Sequence, residues 1–437
     1  DSEWRIRSQA AKALGDSFPK EFQSTAAFLL KDKHPNTQLH AAIALGKSKN
    51  PQYIPALISI LKKNKDADVY LRHGAIQGLI GIADVDTSIK HATGSSPAVR
   101  RGLVIALRRL KSDKLAAFVT DPDPSIAIEA IQAINDDYIE GARSAVARAT
   151  NLLGKSSTMI DNRILNSIYR MGDEENARRA LGIATNSNYP ESIRMEALFV
   201  LQRWENPPAA DPTTGKHRPL TNERSLAKLR PDLTKTLNLL LDSCSGALLA
   251  EVIRTTEGFG IEITPATLLT HFANSKNATA IRLAALETLL KNKEDGLRPL
   301  LDKTLKDRDR EIRAKSFEAL ATLDPVTAVT QAKTIFSTGQ IFDKQRAFSS
   351  LEKLPNAADL ILTKLKDLEN QAPAIHLDIL DAAAQRGEPE IKKALVAYEA
   401  GLDSSHPFAA YAVTADGGDI NQGRSIFYNH GAAQCTR

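Results

Sequence analysis

Asp68-Val69-Tyr70-Leu71-Arg72-His73-Gly74-Ala75-Ile76-Gln77-Gly78-Leu79 is the stretch that decides the fold class of this chain. Its frame is Arg72, small residues at Ala75 and Gly78, and a leucine at Leu79. Small residues at helical spacing let two helices approach closely, while the leucine fills the seam between them. The frame returns as Arg7-Ala10-Ala13-Leu14, Arg100-Leu103-Ala106-Leu107 and Arg194-Ala197-Val200-Leu201. It returns again as Arg282-Ala285-Thr288-Leu289 and Arg313-Ser316-Ala319-Leu320. Looser copies without the arginine close at Leu45, Ile134 and Leu351, and Asn162 to Met171 reads as a degenerate copy. The recurrence, about every 30 residues, marks a repeat architecture rather than a set of unrelated domains.

Each frame is followed by a second apolar run at helical spacing, such as Ile54, Leu57, Ile58 and Leu61, or Leu297, Leu300, Leu301 and Leu305. The breaks carry turn and cap residues: Asp32-Lys33-His34-Pro35, Asp121-Pro122-Asp123-Pro124 and Asp307-Arg308-Asp309. An aspartate before a helix accepts its free N–H groups, and proline suits the first turn. Alternating β-branched strands are nearly absent. The sequence therefore predicts an all-α fold, an α-solenoid of about ten to twelve helix hairpins in which repeats contact their neighbours. The frame resembles HEAT repeats, with Asp-Pro at the turn followed by arginine, small and leucine positions. Armadillo repeats, with a third short helix and a longer period, fit less well.

Two interruptions organise the chain. Trp204-Glu205-Asn206-Pro207-Pro208-Ala209-Ala210-Asp211-Pro212 runs on to Gly215-Lys216-His217-Arg218-Pro219, and its prolines forbid a continuous helix. An ordered loop projecting from the solenoid is expected here. Between Leu201 and Leu289 there is also room for one degenerate repeat. The second interruption lies between Gly401 and Gly418. The expected divisions are repeats over 1–203, a proline-rich loop over 204–222, repeats over 223–400, a linker over 401–417, and a separate segment over 418–437.

Of the 437 residues, 42% are hydrophobic and 25% charged, an ordinary globular balance long enough for about three domains. The net charge of +5 comes from interspersed signs, with only short clusters such as Arg100, Arg101, Arg108 and Arg109. A nucleic-acid binder concentrates its basic residues on one face, so nucleic acid is not an expected partner. The most apolar stretch, Leu237 to Ile253, is broken by Asp242, Ser243 and Glu251, and no transmembrane segment is expected. Two cysteines exclude a disulfide-stapled scaffold and a cysteine-rich zinc module. The chain begins at Asp1 rather than Met, inside a helical pattern, which suggests a piece of something longer, so the lack of a signal peptide in this stretch says little about compartment.

Chemistry-bearing motifs are sparse. Gly258-Phe259-Gly260 lacks the third glycine and the strand–helix setting of a dinucleotide fingerprint, and the metalloprotease and nucleophile-elbow motifs are absent. No catalytic residue and no complete metal site is read from the sequence. His73 is expected to cap a helix or to bond between repeats, and Cys244 to be a core thiol. The proline loop offers Trp204, His217 and Arg218 as a binding site, since loops carry function; packing of Trp204 and Pro219 over a broken repeat is the alternative.

The tail reads differently. Gly418-Asp419-Ile420-Asn421-Gln422-Gly423-Arg424-Ser425-Ile426-Phe427 leads to Cys435-Thr436-Arg437. Asp419 can cap a helix, and Gly423 and Phe427 share one face of it. This resembles the first helix of a class I c-type cytochrome, in which the glycine and the aromatic pack against the domain's last helix. That helix leads into Cys-x-x-Cys-His, where both thiols bond haem and the histidine ligates iron. The resemblance makes Cys435 the first thioether of haem c, with the second cysteine and the histidine as the next two residues; His430 precedes the first thiol and does not substitute.

Together, the repeats, Asp68 to His73, Asp121 to Pro124, Glu129 to Asp136, Trp204, Gly215 to Leu220 and the cytochrome-like tail resemble the haem-binding, membrane-bound dehydrogenases of Planctomycetes and Verrucomicrobia. Gly74 and Gln132 depart from that pattern, standing where Ala and Arg are expected. The resemblance implies a quinoprotein-like sugar dehydrogenase propeller before the repeats and a cytochrome after them. It implies a periplasmic or otherwise extracytoplasmic scaffold, with neighbouring domains of the parent chain and a protein redox partner as its contacts. The other reading is a HEAT-repeat protein–protein interaction scaffold with no redox role.

Overall fold

The computed structural model describes residues 2–403 and 405–429, the side chains of Gln422 and Asn429 apart. Two compact units divide the chain, Asp1–Asp242 and Ser243–Arg437. Among the described residues there is no strand, and one isolated bridge joins Ala210 and His217. The fold is all-α, a solenoid of helix hairpins, as the repeat frame predicts.

In the first unit, α1 (Trp4–Ser17) is followed by α2 (Pro19–Leu29), α3 (Pro35–Ser48) by α4 (Ile54–Asn64), and α5 (Val69–Ile82) by the short α6 (Val85–Ile89). Then α7 (Pro97–Arg109) is followed by a 3-10 turn, Asp113–Phe118, and α8 (Pro124–Asp136) by α9 (Arg143–Arg148). The unit continues through α10 (Thr158–Met171), α11 (Glu174–Thr185), α12 (Glu191–Gln202) and α13 (Arg230–Ser243). The second unit contains α14 (Gly246–Gly258), α15 (Pro265–Ala273), α16 (Thr279–Lys291) and α17 (Arg298–Thr304). It goes on with α18 (Arg310–Leu323), α19 (Pro325–Thr338), α20 (Ile341–Leu351), α21 (Ala358–Lys366), α22 (His376–Ala384), α23 (Pro389–Ala400) and α24 (Ile420–Asn429). The first helices of successive hairpins pack on one another: α1, α3, α5, α7, α8, α10 and α12 in the first unit, and α14, α16, α18, α20 and α22 in the second. Every frame lies on one of these helices. The degenerate repeat expected between Leu201 and Leu289 is α14, whose Thr255 and Thr256 turn their buried hydroxyls back onto the carbonyls of Glu251 and Val252, both at 2.7 Å.

Small residues set the closest approach. A Cβ added at Gly46 of α3 would lie 2.8 Å from the Cα and 2.9 Å from the carbonyl oxygen of Gly78 on α5, so the two backbones touch. The leucine frame fills the seam, with Leu45, Leu79, Leu103 and Leu107 all buried. On α1 the frame is displaced. Leu14 is 41% exposed, and Ser8, Ala11 and Gly15 form the buried set, because Gly15 rather than the leucine faces Ala44 on α3.

The frame arginine has a definite partner. Arg7 donates to Asp32 from Nε and Nη2 at 2.6 and 3.0 Å, Arg100 to Asp121 at 2.8 and 3.0 Å, and Arg282 to Asp307 from Nη1 and Nη2 at 3.1 and 2.6 Å. Each aspartate sits in the turn before the next first helix. It also accepts the backbone N–H of the residue that caps that helix, namely His34 (2.8 Å), Asp123 (2.9 Å) and Asp309 (3.0 Å). The cap residues in turn accept from Asn36, Ser125 and Glu311. The arginine of one repeat thus fixes, through one carboxylate, the entry angle of the next helix.

Candidate functional site

The proline loop begins one residue after the end of α12. Asp211 accepts at Oδ1 from the backbone N–H groups of Thr213 (3.0 Å) and Thr214 (3.1 Å) and from the Thr213 hydroxyl (2.7 Å). This is an aspartate-headed turn. Asp211 N–H donates to the Lys216 carbonyl, Arg218 N–H donates to the Ala209 carbonyl, and Gly215 takes a φ of +67°, so residues 209–218 close as a tight hairpin. The expected projection is not what forms. The hairpin lies back against α8 and α10, because its carboxylate is only 1% exposed and finds its counter-charges there.

Asp211 Oδ2 accepts from Arg170 of α10 (3.2 Å) and stands 3.5 Å from Arg218. Asn166 of α10 donates through Nδ2 to Asn135 Oδ1 at 2.9 Å and approaches both Asp211 oxygens at 3.3 and 3.4 Å. Asn135, fully buried at the end of α8, donates to the Thr213 hydroxyl at 2.9 Å. Arg218 stacks over Tyr138, its guanidinium carbon 3.5 Å from the ring centroid, and it pairs with Glu140. Arg143, also buried, holds the other side of Glu140 at 2.7 and 3.0 Å.

Electrostatics follow from this crowding. Burial pushes Asp211 up, but the Thr213, Asn166 and Thr214 hydrogen bonds outweigh it and hold the carboxyl below its ordinary value. Arg170 is lowered to about 10, first by burial and then by the neighbouring Arg218 and Arg143 charges. Three guanidiniums thus share two carboxylates, and among the described residues Arg143 Nη1 and Arg170 Nε are buried without a hydrogen-bond partner.

Farther along, Trp204 is 0% exposed and meets Tyr169 edge-on at 6.3 Å. Arg224 lies against both rings, at 4.9 Å from Tyr169 and 5.2 Å from Trp204, and donates to the Tyr169 carbonyl near the end of α10. Asn222 donates to the Met171 carbonyl at 3.3 Å, and Arg218 approaches the Asn135 carbonyl at 3.4 Å. Carbonyls at a helix C-terminus have no partner within the helix, and cations there also answer the helix dipole. Residues 204–226 therefore cap α8 and α10 as well as covering them.

The loop residues singled out by sequence have separate fates: Trp204 is core, Arg218 is part of the clamp, and His217 is exposed on the hairpin. His73 is exposed on α5, and the first of its two expected roles, the cap, is filled by Asp68, which accepts from Tyr70 and Leu71 at 2.8 and 3.0 Å. Cys244 is half-buried between α13 and α14, outside the core where it was expected, because the chain turns there between helices. Sequence reasoning missed Asp211, Asn135, Asn166 and Arg170. Asp211 followed by Pro212 and Thr213 was the available signal, a side chain placed to head a turn.

In the second unit, Gln345 of α20 donates to the carbonyls of Ala374 (2.9 Å) and Gly417 (2.7 Å). Gly417 has a φ of +86° and packs against the Ala374 backbone, and Asp419 pairs with Arg310 at 3.6 Å. These contacts fix the start of α24. On α24, Gly423 has open space where a Cβ would be, and Phe427 is 47% exposed and meets Tyr428 edge-on. Cys435 and His430 lie outside the described residues. Among the described residues no group of three His, Cys, Asp or Glu side chains could hold a metal ion, and no helix is long and apolar enough to cross a membrane.

Residues 1–79 match the family model described as HEAT repeats. No curated protein matches the chain. Among solved structures, the crystal structure of an engineered protein from the Northeast Structural Genomics Consortium aligns at 15% identity over 91% of this chain and 99% of that chain, with a TM-score of 0.30. The matched HEAT segment spans α1 to α5, the part of the array where first helices pack most closely, and repeats of this kind present extended surfaces to protein partners.

Proposed function

We propose that the chain is the scaffold segment of an extracytoplasmic electron-transfer protein, in which the repeats hold a c-type cytochrome domain whose first helix is α24. The observation that supports this is the combination of a helical Ile420–Asn429 with Gly423 and Phe427 on one face, both left open for another helix and a flat cofactor. Gly423 offers close approach and Phe427 an aromatic edge, the pair that the cytochrome resemblance calls for. In this reading Cys435 forms the first thioether, and the second thiol and the iron-ligating histidine follow Arg437. Haem c then supplies one-electron transfer, taking electrons from a dehydrogenase domain on the parent chain and passing them to a protein redox partner. The test is to read the two codons after Arg437 and to express the extended chain with the cytochrome c maturation machinery. Covalent haem absorbance that survives acid extraction is the expected result. Residues other than Cys-His, or no covalent haem, would leave the second reading: a protein-interaction scaffold, which the repeats alone support.

A further inference from the structure

A small cleft opens between α10 and α12, beneath the proline hairpin. Its lining comes from Asn162, Asn166 and Tyr169 of α10, from Glu196, Val200 and Arg203 on and just after α12, and from Pro212 and Thr213 of the hairpin. The cavity holds about 30 Å³, room for roughly one or two water-sized groups. The Asn162 amide is exposed at its rim, and the buried hydrogen-bonding capacity is one-sided. Asn166 is 4% exposed, and its Oδ1 has no partner among the described residues. Which amide atom stands there is settled by the surroundings: Nδ2 faces the Asn135 oxygen and the Asp211 carboxylate, and an ionised carboxylate only accepts. Glu196 makes no hydrogen bond or close ion pair among the described residues, and burial holds its carboxyl above the ordinary range against the opposing pull of the Arg203 charge. Thr213 and Tyr169 have already spent their hydroxyl protons, on Asp211 (2.7 Å) and on the Arg203 carbonyl (3.1 Å). The one cation of the lining, Arg203, is turned onto the Phe199 ring at 5.6 Å and is exposed.

Two acceptors without donors, one of them a carboxylate and one a nine-tenths-buried amide oxygen, call for an occupant that only donates. We infer that this cleft binds a primary alkylammonium group, the head seated against Asn166 Oδ1 and Glu196 and the alkyl stem leaving beside Val200 and Pro212. A buried unpaired acceptor costs free energy that a charged N–H donor returns. The volume admits an ammonium head and excludes a guanidinium or a quaternary ammonium lying in the same place. The inference is independent of the cytochrome reading, since it rests on the first unit alone.

The test is calorimetric titration of the full chain with n-butylammonium, with n-butanol and tetramethylammonium as probes lacking the charge and the donors. Saturable binding of butylammonium, weakened at least tenfold in Glu196→Gln and strengthened in Arg203→Ala, is the expected result. Glu196→Gln keeps the shape of the side chain, and its melting curve checks the fold. A second arm uses Nα-acetyl-lysine methylamide against its norleucine counterpart. Binding of the lysine derivative assigns the cleft to a partner's lysine, and binding of butylammonium alone assigns it to free amines. No saturation by butylammonium, equal binding in Glu196→Gln, or equal binding of tetramethylammonium overturns the inference.

Discussion

Replacing Asp211 by alanine should release the proline hairpin. The carboxylate is almost wholly buried, faces Arg170 and Arg218, and accepts the N–H groups of Thr213 and Thr214 that head the turn. Removing one partner of a buried charge pair costs about 3–5 kcal/mol, because the cations left behind have neither water nor a counter-charge. The hairpin can relieve that cost by lifting away and rehydrating the arginines, so the lower end of the range applies. About 3 kcal/mol corresponds to ~100-fold in the population of the open form. Trypsin cleavage after Lys216, read together with hydrogen exchange of the Thr213, Thr214, Gly215 and Arg218 amides, measures that population. Asp211→Asn, which keeps an acceptor for the turn but not the charge, should fall between wild type and Asp211→Ala. Because the Asp211 carboxyl is held below its ordinary value, its contribution is present above about pH 3.9 and is lost as pH falls through its folded-state value. Opening in acid should therefore be steep in wild type and shallow in Asp211→Ala. A change in cleavage of less than about threefold at neutral pH would show that the clamp is not what holds the loop.

Two further substitutions probe the repeats. Arg282→Ala, removing a guanidinium 3% exposed that donates to Asp307 and to the Phe272 carbonyl, should destabilise the second unit by about 3 kcal/mol in a thermal or urea melt. Arg282 also holds the Asp307 carboxyl low, so the stability it adds is lost as pH falls below about 3.9 and the variant should lose that acid sensitivity. Gly46→Ala places a methyl group against the Gly78 backbone, which cannot rotate away, and should cost about 1–3 kcal/mol in the first unit. A melt unchanged within error in either variant would contradict the corresponding packing argument.

What the sequence disclosed follows from what periodicity encodes. Spacing places residues on a helix face, so the arginine, small and leucine frame located the first helices and Asp-Pro located their caps. Spacing does not name partners across a turn, and so Arg282 and Asp307 were each read without the bond between them. The hairpin shows a second limit. His217 and Arg218 are adjacent and were read together as one binding surface, yet His217 is exposed and Arg218 is clamped on Tyr138 and Glu140. The bridge between Ala210 and His217 gives this segment strand geometry, in which neighbouring side chains leave on opposite faces. Composition alone marked the loop as irregular; only its pairing decides which residue turns inward. Its direction depended on Asp211, a carboxylate whose cost of burial had to be met by arginines on other helices.

That dependence also accounts for where the loop sits. Along the array the frame arginine ties one first helix to the turn before the next, as Arg7, Arg100 and Arg282 do with Asp32, Asp121 and Asp307, and Arg313 reaches Asp343 in the first turn of α20. The arginine is absent from α3, α8, α10 and α20, which carry Gln38, Ala127, Asn162 and Lys344 at that position, and of these α8 and α10 are successive in the stack. The hairpin settles on these two helices and supplies Asp211 between Arg170 and Arg218, while Arg163 reaches back from α10 to Asp136 at 2.7 Å. An arginine at position 162 would extend toward the next repeat, whereas the shorter asparagine lines the cleft that lies between α10 and α12. The same loss of a structural arginine thus creates both the need for a clamp and the room for a ligand. Asn162→Arg tests the cleft: the turn before α12, Asn186 to Pro190, carries no aspartate to receive the guanidinium, so the longer, charged side chain should instead fill the cleft and abolish alkylammonium binding with no loss of thermal stability. Retained binding in that variant would show that position 162 does not bound the site.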